Sequence, residues 1–209
     1  GGKVAVNGGA ADTAFDTWVS AASAAGATVT AVPGDGYRFF AWKGDLKGVA
    51  NPTNATIAVA LDAPRSIAAV FVPTGAGHVP VTTAWLKGKA SGAWNDPANW
   101  STGEMPSVGD TVYLTNAAAT TITLEQPVEL EELTIGGKTT LKVSNWFSCI
   151  RAKKVNILSG GTITVAGSFN DTAMSNRVWI VGETLDIAAG GAINVKNGGY
   201  NMQNGPTWR

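Results

Sequence analysis

The chain has 209 residues, with 15 Lys or Arg, 15 Asp or Glu, and a formal net charge of zero. So few bases argue against nucleic-acid binding, because neutralising phosphates takes clustered Lys and Arg. One His and one Cys leave little material for a disulfide framework or a metal centre, and no apolar run reaches the roughly 18 residues of a membrane span. We expect no cofactor, no metal, no nucleic-acid partner and no membrane span.

Short alternating runs of Thr, Val and Ile, separated by Gly, Asn and Pro, predict an all-β protein. The stretch 72–80 contains two Pro and two Gly, which is typical of a linker. We therefore predict a first domain over 1–73, a linker over 74–80 and a second domain over 81–209. The only helix-like stretch is 14–25, for which we expect one or two turns.

The first domain carries aliphatic and aromatic residues in four or five short alternating runs, which predict a small β domain. About 70 residues bury only a modest core, so aromatic side chains must supply much of it. Trp42 and Tyr37 are the predicted core aromatics.

A longer pattern in this domain resembles a known family. It consists of Val29–Pro33, Gly36–Phe39 with Trp42, Gly44-Asp45, Asn51-Pro52, and Asp62 and Arg65 before Ile67 and Phe71. This pattern is similar to the bacterial extracellular repeat modules related to the internalin B-repeat and the Listeria–Bacteroides repeats. The resemblance implies a small β-rich module, β-grasp-like in one form, on secreted or surface proteins, and it brings no catalytic residues.

The start of the second domain is rich in Trp. It contains Trp85–Gly88, Gly92–Trp100 and Pro106–Val112. This stretch resembles the opening of bacterial autotransporter-associated and related right-handed β-helix proteins. The resemblance implies that the Trp-rich segment caps the first coil.

An internal repeat gives the clearest signal in the second domain. The segments 133–143, 155–165 and 185–195 each place aliphatic residues at their first, third, ninth and eleventh positions, with Gly or small residues between. Successive segments start 22 and then 30 residues apart, and another aliphatic residue precedes each by five positions. A repeat of this length without helical periodicity predicts a β-solenoid, here a short right-handed parallel β-helix. We expect Val112, Leu114, Ile122 and Leu124 to form an irregular first coil.

Charged residues follow the same register. Glu131, Lys153 and Glu183 each lie two positions before a repeat segment, so stacked coils would alternate acid, base and acid. Like charges stacked directly opposite one another would be unfavourable, so the alternation favours this register. A solvated charged face without specific pairing is the alternative.

The longer second interval leaves 168–177 as a loop at the side of the solenoid, and loops there often carry binding. Weak ligand-binding candidates are Trp94, Trp100, Asp171 and Arg177, because exposed aromatic rings stack on sugars. Burial of the Trp rings in the cap and core is the alternative. A carboxylate pair from Asp171, Glu183 and Asp186 would suit glycoside hydrolysis, but the charge alternation already accounts for Glu183.

Other reactive residues offer little chemistry. Cys149 lies in an apolar run and is predicted to be a core thiol. His78 falls in the predicted linker, which argues against a catalytic triad. We therefore expect no enzyme activity.

No capping element follows the last repeat, so its coil would present unpaired backbone groups and apolar side chains. Tyr200, Met202 and Trp208 are the predicted assembly residues. The lack of an initiator Met and of a signal peptide suggests a processed or excised piece of a longer protein.

The sequence thus predicts an extracellular structural or adhesive scaffold module of a bacterial surface or filament-forming protein. Its partners would be further copies or neighbouring domains of a longer chain, with a glycan as a further candidate. The alternative function is a carbohydrate-binding accessory region of a secreted polysaccharide-degrading enzyme.

Overall fold

A computed structural model of the chain describes residues 1–14, 26–144, 146–169 and 177–199. The chain divides into two compact units, Gly1–Ala76 and Gly77–Arg209. The stretch 15–25, which holds nearly all of the predicted helical turn, lies outside the described residues.

Over residues 1–14 and 26–76, the first unit contains five strands in two antiparallel sheets. β1, β2 and β4 form the first sheet in that order, and β3 pairs with β5 in the second. A β-bulge between Phe39 and Ala41 shifts the register of the second sheet. The strands are β1 (Gly2–Val6), β2 (Ala27–Pro33), β3 (Tyr37–Gly44), β4 (Thr56–Val59) and β5 (Ile67–Pro73).

Trp42 lies at the centre of this unit and is fully buried, as predicted. Its ring packs 5.4 Å from the ring of Phe39, and its indole N–H donates to the carbonyl oxygen of Asn54 at 2.9 Å. The prediction for Tyr37 is wrong, because 41% of that residue is exposed. It stands at the first position of β3, whereas the buried residues of that strand, Ala41 and Trp42, lie four and five positions further along.

Three charged residues of the family-like pattern meet on the surface of the first unit. Arg65 donates to Asp45 Oδ1 at 2.7 Å and also pairs with Asp62, while its own side chain is almost entirely covered. Hydrogen bonding to Asp62 raises the pKa of Arg65 above its usual range. The pattern therefore includes a bridge that joins the segment after β3 to the segment before β5.

The second unit consists of stacked coils, each made of strands in two parallel ladders. One ladder has the order β6, β8, β10, β12 and then β14 and β15, and the other has the order β7, β9, β11, β13 and β16. The strands are β6 (Thr82–Ala84), β7 (Ser91–Ala93), β8 (Thr111–Leu114), β9 (Thr120–Leu124), β10 (Val128–Ile135), β11 (Thr139–Val143), β12 (Ile150–Ile157), β13 (Thr162–Val165), β14 (Ile180–Val181), β15 (Thr184–Ile187) and β16 (Ala192–Asn194).

The three repeat segments stack in the predicted register. Ile135 pairs with Ile157, and Ile157 pairs with Ile187, in consecutive parallel ladders. The second ladder aligns Leu141, Ile163 and Ile193 in the same way. The core lies between the two ladders, where all but the last coil bury these aliphatic side chains. The all-β fold class with a partial β-helix is therefore confirmed.

The Trp-rich segment is itself a coil of this stack. The amide of Trp85 donates to the carbonyl oxygen of Tyr113, and the amide of Trp94 donates to that of Thr123. Both rings are buried in the same core as Leu114 and Leu124. The coil of Val112 is therefore the second coil, and its prediction as the first is wrong. Sequence periodicity missed the first coil because Trp and Gly occupy interior positions that hold aliphatic residues elsewhere.

Candidate functional site

The last coil exposes side chains that the coils before it bury. Leu185 and Ile187 pair in register with Val155 and Ile157, which are fully buried, yet 45% of Leu185 and 49% of Ile187 are accessible. Val195, after β16, is 49% exposed. Within the described residues, the coil interior thus ends in an apolar face of Leu185, Ile187 and Val195, which we call the last-coil face.

The first coil is covered on its outer side. Trp85 and Trp100 form an antiparallel bridge, and Ser101 exchanges hydrogen bonds with Ala84 along β6. The side chains of Asn99 and Trp100 donate to the carbonyl oxygens of Ala93 and Trp94 along β7. The segment 99–102 therefore occupies backbone groups that a further coil would need.

Aromatic packing completes this cover. The ring of Trp100 meets those of Trp85 and Trp94 edge to face, with centroids 5.3 and 4.8 Å apart. A Cβ at Gly92 would lie 2.6 Å from the Asn99 side chain and 3.1 Å from the Trp85 ring, so a larger residue there would have to displace the Asn99 amide. Trp94 and Trp100 are each 1% exposed, so neither ring has a face free for a sugar. As ligand-binding candidates they are corrected to core and cap residues.

Asp110 holds the start of the second unit against the second coil. Its buried carboxylate accepts from the amides of Val81 and Ser107 at 2.8 Å each, and lies 2.7 Å from His78 Nε2. His78, which lies in the predicted linker, therefore packs on Asp110. Because both carboxylate oxygens of Asp110 are hydrogen-bonded, we assign this residue a structural role as an anchor.

The charged ladder forms on the outer side of the coils. Lys153 Nζ lies 2.8 Å from Glu131 Oε2, and hydrogen bonding to Glu131 raises the pKa of Lys153, with a smaller contribution from Glu183. The neighbouring column places Lys154 Nζ 3.9 Å from Glu132 Oε1. The first pair is exposed and the second is half-exposed, so they favour register more than they stabilise the fold.

A cationic cluster lies where the chain enters the fourth and fifth coils. The guanidinium Cζ of Arg177 lies 4.2 Å from the centroid of the Trp179 ring and 4.8 Å from that of Trp146. The ring of Trp146 also meets Phe169 edge to face. We call Arg177, Trp146 and Trp179 the arginine–tryptophan stack.

The sequence singled out Arg177 but did not pair it with these two rings. One signal was available, because Arg177 and Trp179 are two positions apart before a strand and alternation puts them on one side. The sequence did not predict that Trp146, one coil earlier, lies beside Arg177, because the insertion between the two coils interrupts the repeat. The candidates Asp171, Tyr200, Met202 and Trp208 lie outside the described residues.

The described residues bring few reactive groups together. Cys149 is buried, and its burial raises the pKa of the thiol, which disfavours the nucleophilic thiolate. Over the ranges that the structure describes, no three His, Cys, Asp or Glu residues group closely enough to hold a metal ion. The same ranges contain no helix that is long and apolar enough to cross a membrane.

Fold and site together define a β-rich protein with an antiparallel module followed by stacked parallel coils. Residues 3–75 match the family model described as the divergent InlB B-repeat domain. This match confirms the predicted resemblance of the first unit to a bacterial repeat module. Searches of curated proteins and of solved structures found no significant match. The resemblance of the second unit to autotransporter-associated proteins stays a prediction.

Proposed function

We propose that this chain is a non-catalytic, extracellular structural module of a bacterial surface protein, and that its last-coil face docks against a second copy. The B-repeat match over residues 3–75 supports an extracellular scaffold. The observation that carries the docking is the contrast between the two end coils, one covered by its own chain and the other open among the described residues.

The absence of catalysis is part of the proposal and has its own support. Glu183 belongs to the charge column around Lys153, and Asp186 lies in the exposed β15, outside any close group of three acidic, His or Cys residues among the described coils. Cys149 is buried, and His78 is paired with Asp110. None of these groups has the nucleophile–base geometry of a covalent or acid–base mechanism.

The end-coil contrast also favours one kind of assembly. Head-to-tail filaments need two open ends, because each copy must offer a different surface to each neighbour. The segment 99–102 covers the first coil, so only the last-coil face can receive a partner through these ladders. Two copies would meet last coil to last coil in a closed pair, and burying Leu185, Ile187 and Val195 from each side would drive it.

Sedimentation velocity over a range of concentrations tests this proposal. We expect the wild type to form a dimer, and Ile187→Lys to weaken it at least tenfold, since a charge would be buried at the contact. Tyr113→Lys is the matched control, because Tyr113 is a comparably exposed large side chain on the second coil. A wild type that stays monomeric at the highest attainable concentration would refute the docking.

A further inference from the structure

Arg177 differs from Arg65 in having no counter-ion among the described residues. Arg65 pairs with two carboxylates, whereas no hydrogen bond or ion pair joins Arg177 to any described residue. Its Nε is inaccessible to solvent and has no hydrogen-bond partner. Burial lowers the pKa of Arg177, because desolvation disfavours the charged form of the guanidinium.

The two indole rings account for part of this arrangement. A guanidinium within about 6 Å of an indole centroid is attracted electrostatically to the face of the ring. Both ring distances of Arg177, 4.2 and 4.8 Å, fall within that range. Ring faces provide no hydrogen-bond acceptor in the guanidinium plane, and no described residue accepts a hydrogen bond from the two Nη groups of Arg177.

The stack is also held in place by the coils. The carbonyl oxygen of Trp179 accepts from the amide of Ile150 at 2.9 Å, which ties the entry of the fifth coil to that of the fourth. Trp146 packs against Phe169 at 6.1 Å. The guanidinium is therefore oriented before any ligand arrives, which lowers the entropic cost of binding.

A carboxylate matches the two Nη groups of Arg177, whereas the enclosed Nε is out of reach of a ligand. The donors of Arg lie in one plane as a fork, and stacking on aromatic faces leaves the edge of that plane for bidentate contact with a carboxylate. An indole beside the fork offers an apolar surface suited to the C–H face of a sugar ring. A sugar acid presents both features in one residue.

We propose that the arginine–tryptophan stack is a binding site for uronic acid residues of an acidic polysaccharide. The fork of Arg177 receives the carboxylate, and the indoles of Trp146 and Trp179 pack beside the sugar ring. The site is independent of the last-coil face. A bacterial surface module with such a site would bind acidic polysaccharide at the side of its coils.

Isothermal titration calorimetry of the whole chain with an oligogalacturonate tests the proposal. The neutral galactan oligomer of the same length is the ligand control. We expect the wild type to bind the oligogalacturonate, with affinity that falls as salt rises, and to bind the neutral oligomer at least tenfold more weakly. Arg177→Gln should reduce oligogalacturonate affinity at least tenfold.

Two further variants keep the test decisive if Arg177→Gln destabilises the coils. Arg177→Lys keeps the charge but loses the fork, so we expect weaker binding with an unchanged far-UV circular dichroism spectrum. Lys142→Gln removes a half-buried base on β11 and should leave binding unchanged. The proposal is overturned if the wild type does not bind, if both oligomers bind equally, or if folded Arg177 variants bind like the wild type.

Discussion

The carbonyl oxygen of Gly137 lies where a side chain on Gly160 would begin. A Cβ built on Gly160 would be 1.7 Å from that oxygen, and the φ angle of Gly160 is +77°. The two residues belong to the bends of consecutive coils, between the two ladders. The coils come into backbone contact here because Gly137 and Gly160 carry no side chain.

Gly160→Ala should therefore lower the free energy of unfolding by at least about 3 kcal/mol, since it adds a backbone clash to an unfavourable φ. Gly103→Ala is the matched control, because Gly103 has a φ of +73° and open space around its Cα. We expect the control to cost about 1 kcal/mol. Urea denaturation measures both, and equal costs would contradict the close stacking.

The column of Ile135, Ile157 and Ile187 gives a second matched pair. Ile157→Ala should cost about 3 kcal/mol or more, because it opens a cavity in a fully buried position. Ile187→Ala should cost less than about 1 kcal/mol in the monomer, because half of Ile187 is already exposed. Chemical denaturation at low protein concentration measures the stability loss of both variants. A larger loss for Ile187→Ala than for Ile157→Ala would contradict this register.

Lys153 lies between two acids of the charged ladder. Lys153→Glu should lower the Tm, because it stacks three acids in one column, and the loss should shrink at high salt. Lys153→Met should change the Tm much less. Thermal scans at low and high salt measure both variants, and a loss that does not depend on salt would point to packing instead.

The same side chain predicts a dependence on pH. The pKa of Lys153 is raised above its ordinary value of 10.5, so its contribution to stability is complete below that pH. It is lost as the pH rises through the raised pKa, where Lys153 loses its proton. The Tm difference between wild type and Lys153→Met should therefore narrow above about pH 10.5, and a widening gap would contradict the pairing.

Asp110 is expected to be the most sensitive polar residue of the first coils. Asp110→Ala leaves the amides of Val81 and Ser107 without acceptors, which should cost about 3 kcal/mol. Asp110→Asn keeps one acceptor oxygen and should cost less. His78→Ala should cost about 1 kcal/mol, since it removes one partner and leaves both amides bonded. Chemical denaturation measures the loss of unfolding free energy in all three variants. If Asp110→Ala left the stability unchanged, Asp110 would not be an anchor.

Cys149 should be inert in the folded chain. It is 1% exposed, and burial raises the pKa of its thiol, so little thiolate forms and little reagent reaches it. We expect alkylation by iodoacetamide to be about 100-fold slower than in the guanidinium-unfolded chain. Comparable rates in both states would place the thiol at the surface.

Much of the fold could be read from residue patterns. The alternation in 133–143, 155–165 and 185–195 predicted the ladders, because a period of two sends every second side chain inward. The spacing of Glu131 and Lys153 predicted their pairing, since coils in register stack equivalent positions. Trp42 was predicted to be buried because a small core needs its aromatic residues.

Other features depend on contacts that no local pattern encodes. Tyr37 matches the strand pattern as well as Trp42 does. It is exposed because it is the first residue of β3, a position that the sequence pattern does not reveal. His78 appeared to lie in a linker until the fold brought Asp110 within 2.7 Å. Trp146 and Arg177 are separated by an insertion of irregular length, so the stack between them had no sequence signal.

The sequence by itself therefore determined the all-β class, the coil register and the charge alternation, because those follow from side-chain periodicity along one strand. The tertiary structure alone decided which end coil is covered and where Arg177 finds its aromatic partners. Those depend on the segment 99–102 and on the coil entries, where the chain leaves the repeat and its path is fixed by packing rather than by period.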